Sequence, residues 1–206
     1  MYRIAVLASG SGTDLQSILD ACGSGQIPGK VVVVVSNNKD AYALERGKKH
    51  GAEALFIDHR GKSREQHEFE IVEALDARKI DLIVLAGWLR MFTPYFTNKY
   101  KNKIINIHPA LLPKYGGEGM HGMKVHEAVI ASGDRESGCT VHFVTEEVDG
   151  GPIIAWYRVP VLPGDTPETL QERVLEKEHL LLPLVVQWFA QGKIDPETWE
   201  PVIVNS

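Results

Sequence analysis

Three side chains of this sequence suit acid-base chemistry at a carbonyl carbon: Asn106, His108 and Asp149. The first two stand in Ile-Ile-Asn-Ile-His-Pro-Ala-Leu-Leu-Pro, residues 104 to 113, whose apolar start reads as a strand. Alternate residues of a strand share a face, so an amide donor and a titratable imidazole project together. Pro109 has no amide hydrogen for a sheet ladder, so the strand is expected to stop near His108 with both groups at its carboxyl end. Open α/β sheets bind ligands at that edge. Asp149 lies in Val-Asp-Gly-Gly-Pro, residues 148 to 152, where the glycines permit close backbone approach and let a carboxylate reach an imidazole. An Asn and a His at a strand end are more often a turn cap and a satisfied polar group; the carboxylate turns them into a candidate acid-base site.

Ser9-Gly10-Ser11-Gly12-Thr13-Asp14 is a second stretch with chemistry in it, between the first apolar run and a helical pattern. Its amide hydrogens and the helix dipole converge on an anion such as a phosphate. A dinucleotide fingerprint needs a glycine at position 15 and an acid after the second strand. The chain has Leu15 and Ser36-Asn37-Asn38 there, so a single phosphate is expected and not NAD. Asp14 suits the first turn of a helix but repels a phosphate dianion, and its side chain is expected to cap the helix.

The elements that must position these residues alternate in type. Strand-like runs at 3 to 8, 31 to 35, 53 to 57, 81 to 85 and 103 to 107 are separated by helical patterns, notably 13 to 22, 40 to 50 and 63 to 78. Such alternation implies a parallel sheet with helical crossovers. Val31 to Val35 is an unbroken valine run without a polar face, as expected of a strand covered by helices on both sides. Residues 113 to 123 contain four glycines, which oppose regular structure, and predict a mobile loop beside the site. Further strands are expected at 139 to 145 and 152 to 159, and Thr166-Pro-Glu opens a long helix to about Gly192. The fold class is therefore α/β, Rossmann-like, with a mostly parallel twisted sheet flanked by helices. One domain over 1–206 is the simplest reading, its two sequential halves being 1–103, for phosphate or nucleotide, and 104–206, for catalysis.

Composition bounds the function. With 206 residues, 44% hydrophobic and 24% charged, the chain is an ordinary globular one. Its net charge of -5 argues against nucleic acid as the main partner. Cys22 and Cys139 lack metal-type spacing, so neither a disulfide framework nor a zinc site is expected and a cytoplasmic setting fits. The opening apolar run is too brief for a signal peptide or a membrane span, so no membrane partner is expected.

Taken together, several motifs resemble the folate-dependent formyltransferases over essentially the whole chain. They are Ser-Gly-Ser-Gly-Thr near the start, Leu-Ala-Gly-Trp-Leu-Arg-Met (85 to 91), Asn-Ile-His-Pro-Ala-Leu-Leu-Pro-Lys-Tyr (106 to 115), Gly-Cys-Thr-Val-His-Phe-Val (138 to 144), Asp-Gly-Gly-Pro-Ile (149 to 153) and Glu-His-Leu-Leu-Leu-Pro (178 to 183). The resemblance implies the family's fold and formyl transfer from 10-formyltetrahydrofolate, a co-substrate, to the amine of glycinamide ribonucleotide, without a metal. It gives Asn106 the role of donor to the developing oxyanion and His108 that of general acid and proton shuttle. Asp149 would orient the imidazole and favour its charged form. Phosphate binding would fall on Gly12, Thr13 and Asp14, with a further ribonucleotide contact from Glu178. The pterin pocket would fall on Leu89, Arg90, Met91 and Phe92, with Asn106 at its end and Thr145, Glu146, Glu147, Val148 and Asp149 covering the other side. Arg64 would meet the folate's glutamate tail. Thr140 and His142 share a strand face and would support His108 from behind, unless His142 is simply a satisfied core histidine.

Each of these has a plainer alternative: Glu178 on a solvated helix face, Arg64 as a surface charge, Met91 and Phe92 as core. Two departures from the family pattern stand out. Asp14 replaces the usual Asn, removing an amide donor and altering phosphate affinity, and the 116–123 loop is long, so His121 has no counterpart. The branches that act on tRNA or that deformylate folate carry extra domains for which 206 residues leave no room. Two competing functions remain: a formyltransferase for nucleotide-linked amino sugars, and a non-catalytic sensor of phosphometabolites. The expected partners are small molecules, with the chain a monomer or a homodimer.

Overall fold

Val31 to Val35 occupy the middle of a strand whose two faces are both covered, one place in from an edge of the sheet. The computed structural model describes residues 1–204. In chain order its elements are β1 (Tyr2–Leu7), α1 (Thr13–Gly23), β2 (Gly29–Ser36), α2 (Tyr42–Lys49), β3 (Glu53–Phe56), α3 (Arg64–Asp76), β4 (Leu82–Leu85), α4 (Pro94–Lys99), β5 (Ile104–His108), α5 (Met123–Ser132), β6 (Glu136–Phe143), β7 (Ile153–Pro160), α6 (Pro167–Ala190) and β8 (Val202–Val204). The strands form one sheet in the order β3-β2-β1-β4-β5-β6-β7-β8. Among these only β6 runs against the others, pairing antiparallel with β5 and β7.

Strand alternation divides the core into two layers. Ile4 and Val6 of β1 join α1 and α6 on one face, whereas Ala5 and Leu7 join α3 and α4 on the other. The same parity sends Ile105 and Ile107 of β5 and Cys139, Val141 and Phe143 of β6 to the α6 side. Asn106, His108, Thr140 and His142 are therefore turned to the opposite face. Glu178 of α6 lies in the helix's buried stripe with Val174, Leu181, Leu182 and Val185.

The mostly parallel α/β sheet matches the sequence reading. Three elements were not anticipated. α4 is a single short turn-and-a-half that starts at Pro94 and holds too few residues to display a period. α5 follows the glycine-rich stretch directly and ends on Gly133 in the left-handed conformation, so its signal merged with the loop. β8 is three residues long and gains its identity from parallel pairing with β7.

Candidate active site

β5 ends at His108, and the antiparallel register of β6 sets His142 opposite Asn106 and Thr140 opposite His108. His142 Nδ1 lies 2.9 Å from the carbonyl oxygen of Phe143, an atom that can only accept, so Nδ1 carries the hydrogen. Nε2 is then the acceptor for Asn106 Nδ2 at 3.1 Å. This contact orients the Asn106 amide with its NH2 group toward the site. Thr140, fully buried, donates to the carbonyl of Ala110 at 2.6 Å and accepts from the amide of Leu112 at 3.0 Å, which ties down the chain just after β5.

His108 is buried, and its Nε2 donates to the carbonyl oxygen of Tyr115 at 2.7 Å. Its Nδ1 faces Asp149 Oδ2 at 3.5 Å, while Asp149 Oδ1 lies 3.5 Å from His142 Nε2. Asp149 sits in the left-handed region (φ 55°) and also accepts the amide hydrogen of Gly117 at 3.0 Å. Burial pushes its carboxyl up, but the two imidazoles and the Gly117 amide outweigh that and hold it below the usual carboxylate range. The carboxylate is therefore ionised at neutral pH.

Asp149 does favour the charged form of His108, but burial of the ring is the larger effect, and the imidazole is held below the ordinary histidine range. The resting ring is neutral, with its hydrogen on Nε2 and an open lone pair on Nδ1.

At the other end of the site, Gly12 is the N-cap of α1 in the left-handed conformation (φ 72°), and a Cβ there would come within 2.8 Å of Ala43 Cβ. The loop thus closes tightly on α2, and Arg46 of that helix donates to the carbonyl of Ser11 at 2.8 Å. Thr13 and Asp14 form the first turn of α1. Asp14 does not cap the helix as expected, since no side chain does. It turns inward instead: its Oδ1 has no hydrogen-bond partner among the described residues and lies 3.6 Å from His179 Nε2. Glu178 is only 7% exposed, which overturns the plain solvated-face alternative. Burial, reinforced by the charge of Asp14, pushes its carboxyl well up, and burial raises Asp14 to about 7.

Asp14 yields a prediction with a definite sign. Unfolded Asp14 loses its proton near pH 4 and folded Asp14 near 7, so the folded chain holds the extra proton between them and loses stability as pH rises through that window. Asp14→Asn is therefore expected to melt at a higher temperature than the parent, with a gap that is wider at pH 8 than at pH 5. Melting curves at the two pH values check this; an equal gap at both would show that Asp14 titrates normally.

The segment assigned to the pterin follows β4. Leu89 and Met91 are exposed, Leu89 at 65%, and so is Val148 in the facing 145–149 turn. Asn98 of α4 donates to Glu146 at 3.0 Å and links the two sides. Trp88 is buried and stacked between His67 and Phe92. Arg64 is exposed at the first turn of α3, and the same helix holds the segment in position: Glu68 accepts hydrogen bonds from the amide and hydroxyl of Thr93. Ser9 connects this segment to the glycine loop at the start of α1, accepting from the Leu89 amide at 3.1 Å. His121 is exposed and belongs to neither cluster.

The geometry thus brings Asn106, His108, Thr140, His142 and Asp149 together, and Asp14 with Glu178. Sequence reasoning missed Tyr115, Gly117 and His179. The first two act through backbone atoms that every residue carries, so side-chain pattern held no signal for them. His179 was legible only as the neighbour of Glu178.

The formyl transferase family model matches residues 2–186. Phosphoribosylglycinamide formyltransferase of Haemophilus influenzae is 45% identical over 195 residues, covering 94% of this chain and 90% of that protein. Its Escherichia coli counterpart is 43% identical, covering 93% and 89%. Among solved structures, glycinamide ribonucleotide transformylase 1 from Symbiobacterium toebii matches with a TM-score of 0.89 at 44% identity, covering 95% of this chain and 92% of the other.

Proposed function

The chain belongs to the formyl transferase family, and from that premise we propose that it moves the formyl group of 10-formyltetrahydrofolate to the amine of N1-(5-phosphoribosyl)glycinamide. The products are the N-formyl ribonucleotide and tetrahydrofolate, a step of purine (IMP) biosynthesis. The observation that carries this reading is a tight glycine loop at the start of α1 and an Asn–His–Asp cluster, in a chain 43–45% identical to phosphoribosylglycinamide formyltransferases.

In this reading the 1–103 half supplies the loop for the phosphate, held by the amides of Gly12, Thr13 and Asp14 at the α1 N-terminus. Glu178 contacts the ribonucleotide from α6. Folate lies with its pterin between Leu89–Phe92 and the 145–149 turn, and its glutamate tail reaches toward Arg64. The 104–206 half supplies the reacting groups. The acceptor amine attacks the formyl carbon, and the carbonyl electrons move onto oxygen, where the Asn106 amide donates to the oxyanion. The attacking nitrogen becomes cationic and gives its proton to His108 Nδ1, the one ring nitrogen with an open lone pair. Asp149, 3.5 Å away, stabilises the imidazolium while it lasts. His108 then returns the proton to N10 of the folate as the carbon–nitrogen bond breaks. One proton leaves the amine and one arrives on N10, so the transfer balances.

The direct test is to follow release of the deformylated folate by absorbance, starting from a 10-formylfolate, with glycinamide ribonucleotide present or omitted. Turnover that requires the ribonucleotide is the expected outcome. Turnover without an acceptor would replace the reading with deformylation, and ribonucleotide binding without turnover would replace it with a sensor.

A further inference from the structure

The 115–117 turn holds both members of the His108–Asp149 pair at once, through its backbone. Its Tyr115 carbonyl accepts from His108 Nε2 at 2.7 Å and its Gly117 amide donates to Asp149 Oδ2 at 3.0 Å. Between them, Gly116 approaches so closely that a Cβ would meet Leu112 Cδ2 at 2.5 Å and Asp149 Cβ at 3.2 Å. Tyr115 itself has φ 56°, a left-handed conformation that a tyrosine keeps only where its surroundings over-determine it.

Those surroundings lie on the far side of the residue. The Tyr115 hydroxyl is 2.6 Å from Ser132 Oγ and 2.8 Å from Asp134 Oδ2, to which it donates. Ser132 in turn donates to the carbonyl of Val129 at 2.8 Å, at the end of α5. Lys114 bonds the same Asp134 oxygen at 2.9 Å, and Lys114 and Tyr115 together hold that carboxyl below the usual range. A charged network at the carboxyl end of α5 thus anchors the side chain whose carbonyl meets the catalytic imidazole.

We propose that Tyr115 is a positioning residue for formyl transfer: its anchored phenol sets the 115–117 turn, which fixes His108 as the Nε2–H tautomer and holds Asp149 against Nδ1. The inference rests on the reading of His108 as proton carrier, but its consequence for the ring is observable without substrate. A histidine whose wrong nitrogen carries the hydrogen cannot accept a proton where the reaction needs it. Tyr115→Phe removes only the hydroxyl, frees the turn from α5 and admits water to the ring. The charged and titratable groups facing His108 are Asp149 from its loop, His142 from β6 and His126 from α5. All remain in the variant, so a change in the ring's titration reports on the turn.

The experiment is nitrogen-15 NMR of histidine-labelled protein together with steady-state kinetics, on the parent, Tyr115→Phe and Asp134→Asn. In the parent, His108 is expected as a single Nε2–H tautomer with a depressed titration midpoint. In Tyr115→Phe the tautomers mix and the midpoint moves away from the parent's, because the Tyr115 carbonyl, the Asp149 carboxylate and the ring's burial all act on it. Its kcat falls on the order of ten-fold, the equivalent of one lost hydrogen bond, with ribonucleotide KM unchanged. Asp134→Asn gives the same pattern, more weakly. An unchanged tautomer and midpoint in Tyr115→Phe overturns the proposal, as does a fall in kcat that tracks melting temperature while the His108 signals stay as in the parent. A parent that fails to transfer formyl groups defeats the functional reading instead, and the NMR comparison still decides the role of Tyr115.

Discussion

His108→Ala is expected to lower turnover by roughly 100-fold or more, with ribonucleotide binding nearly unchanged, because in the proposed mechanism the ring moves a proton and does not hold the phosphate. The geometry makes this nitrogen-specific. Nε2 is committed to the Tyr115 carbonyl at 2.7 Å, so only Nδ1 accepts the proton shed by the attacking amine. No other imidazole can substitute: His142 uses Nδ1 on the Phe143 carbonyl and Nε2 on Asn106. His126 is buried, with its own titration depressed to about 4 by burial and by His108. Residual activity in the variant reports what Asn106 and approximation achieve without a shuttle. The pH profile of kcat adds a sign. A shuttle must begin neutral, so turnover falls as pH drops through the His108 midpoint, and that limb lies below the ordinary histidine range. It disappears in His108→Ala. Equal rates for variant and parent would remove His108 from the mechanism, and a rate that rises on acidification would make the ring a pre-charged acid.

Asn106→Ala is the second large effect, with kcat expected to fall by about 100- to 1,000-fold, the range for loss of one oxyanion donor. The amide is already aimed: Asn106 Nδ2 donates to His142 Nε2 at 3.1 Å, which leaves its second hydrogen for the oxygen that gains charge. That charge exists only after attack, so the loss should appear in kcat and not in the KM of either substrate. Asn106→Asp separates donation from shape. It keeps the volume but replaces the donor by a carboxylate that repels both the oxyanion and Asp149, so its activity should fall at least as far as in Asn106→Ala. An aspartate variant near parental activity would mean that the side chain fills space and does not donate.

The same residues separate what was legible in the sequence from what was not. The alternation of strand and helix, the buried valine strand, the Gly12 turn into α1 and the shared face of Asn106 and His108 were legible because each follows from steric preferences of neighbouring residues. Glu178 was legible in principle, since it falls at helical spacing within the apolar stripe of Val174, Leu181 and Val185. α5 and β8 were obscured by a glycine-rich neighbour and by brevity. The resemblance to the formyltransferases carried the roles, because patterns of residue type at fixed order survive where geometry cannot be read.

Protonation and aim were decided only by the tertiary structure. The neutral state of His108, the raised carboxyl of Asp14 and the lowered one of Asp149 depend on how much water the packed layers exclude and which charges remain near. Desolvation sums over residues distant in sequence, so no local pattern encodes it. Asp14 illustrates the point: its type and position argued for a helix cap, whereas the packing of α6 against α1 turned it inward to His179. The carbonyl of Tyr115 and the amide of Gly117 belong to the backbone common to all residues. Only the path of the folded chain, anchored at Asp134, brings them to the imidazole and the carboxylate.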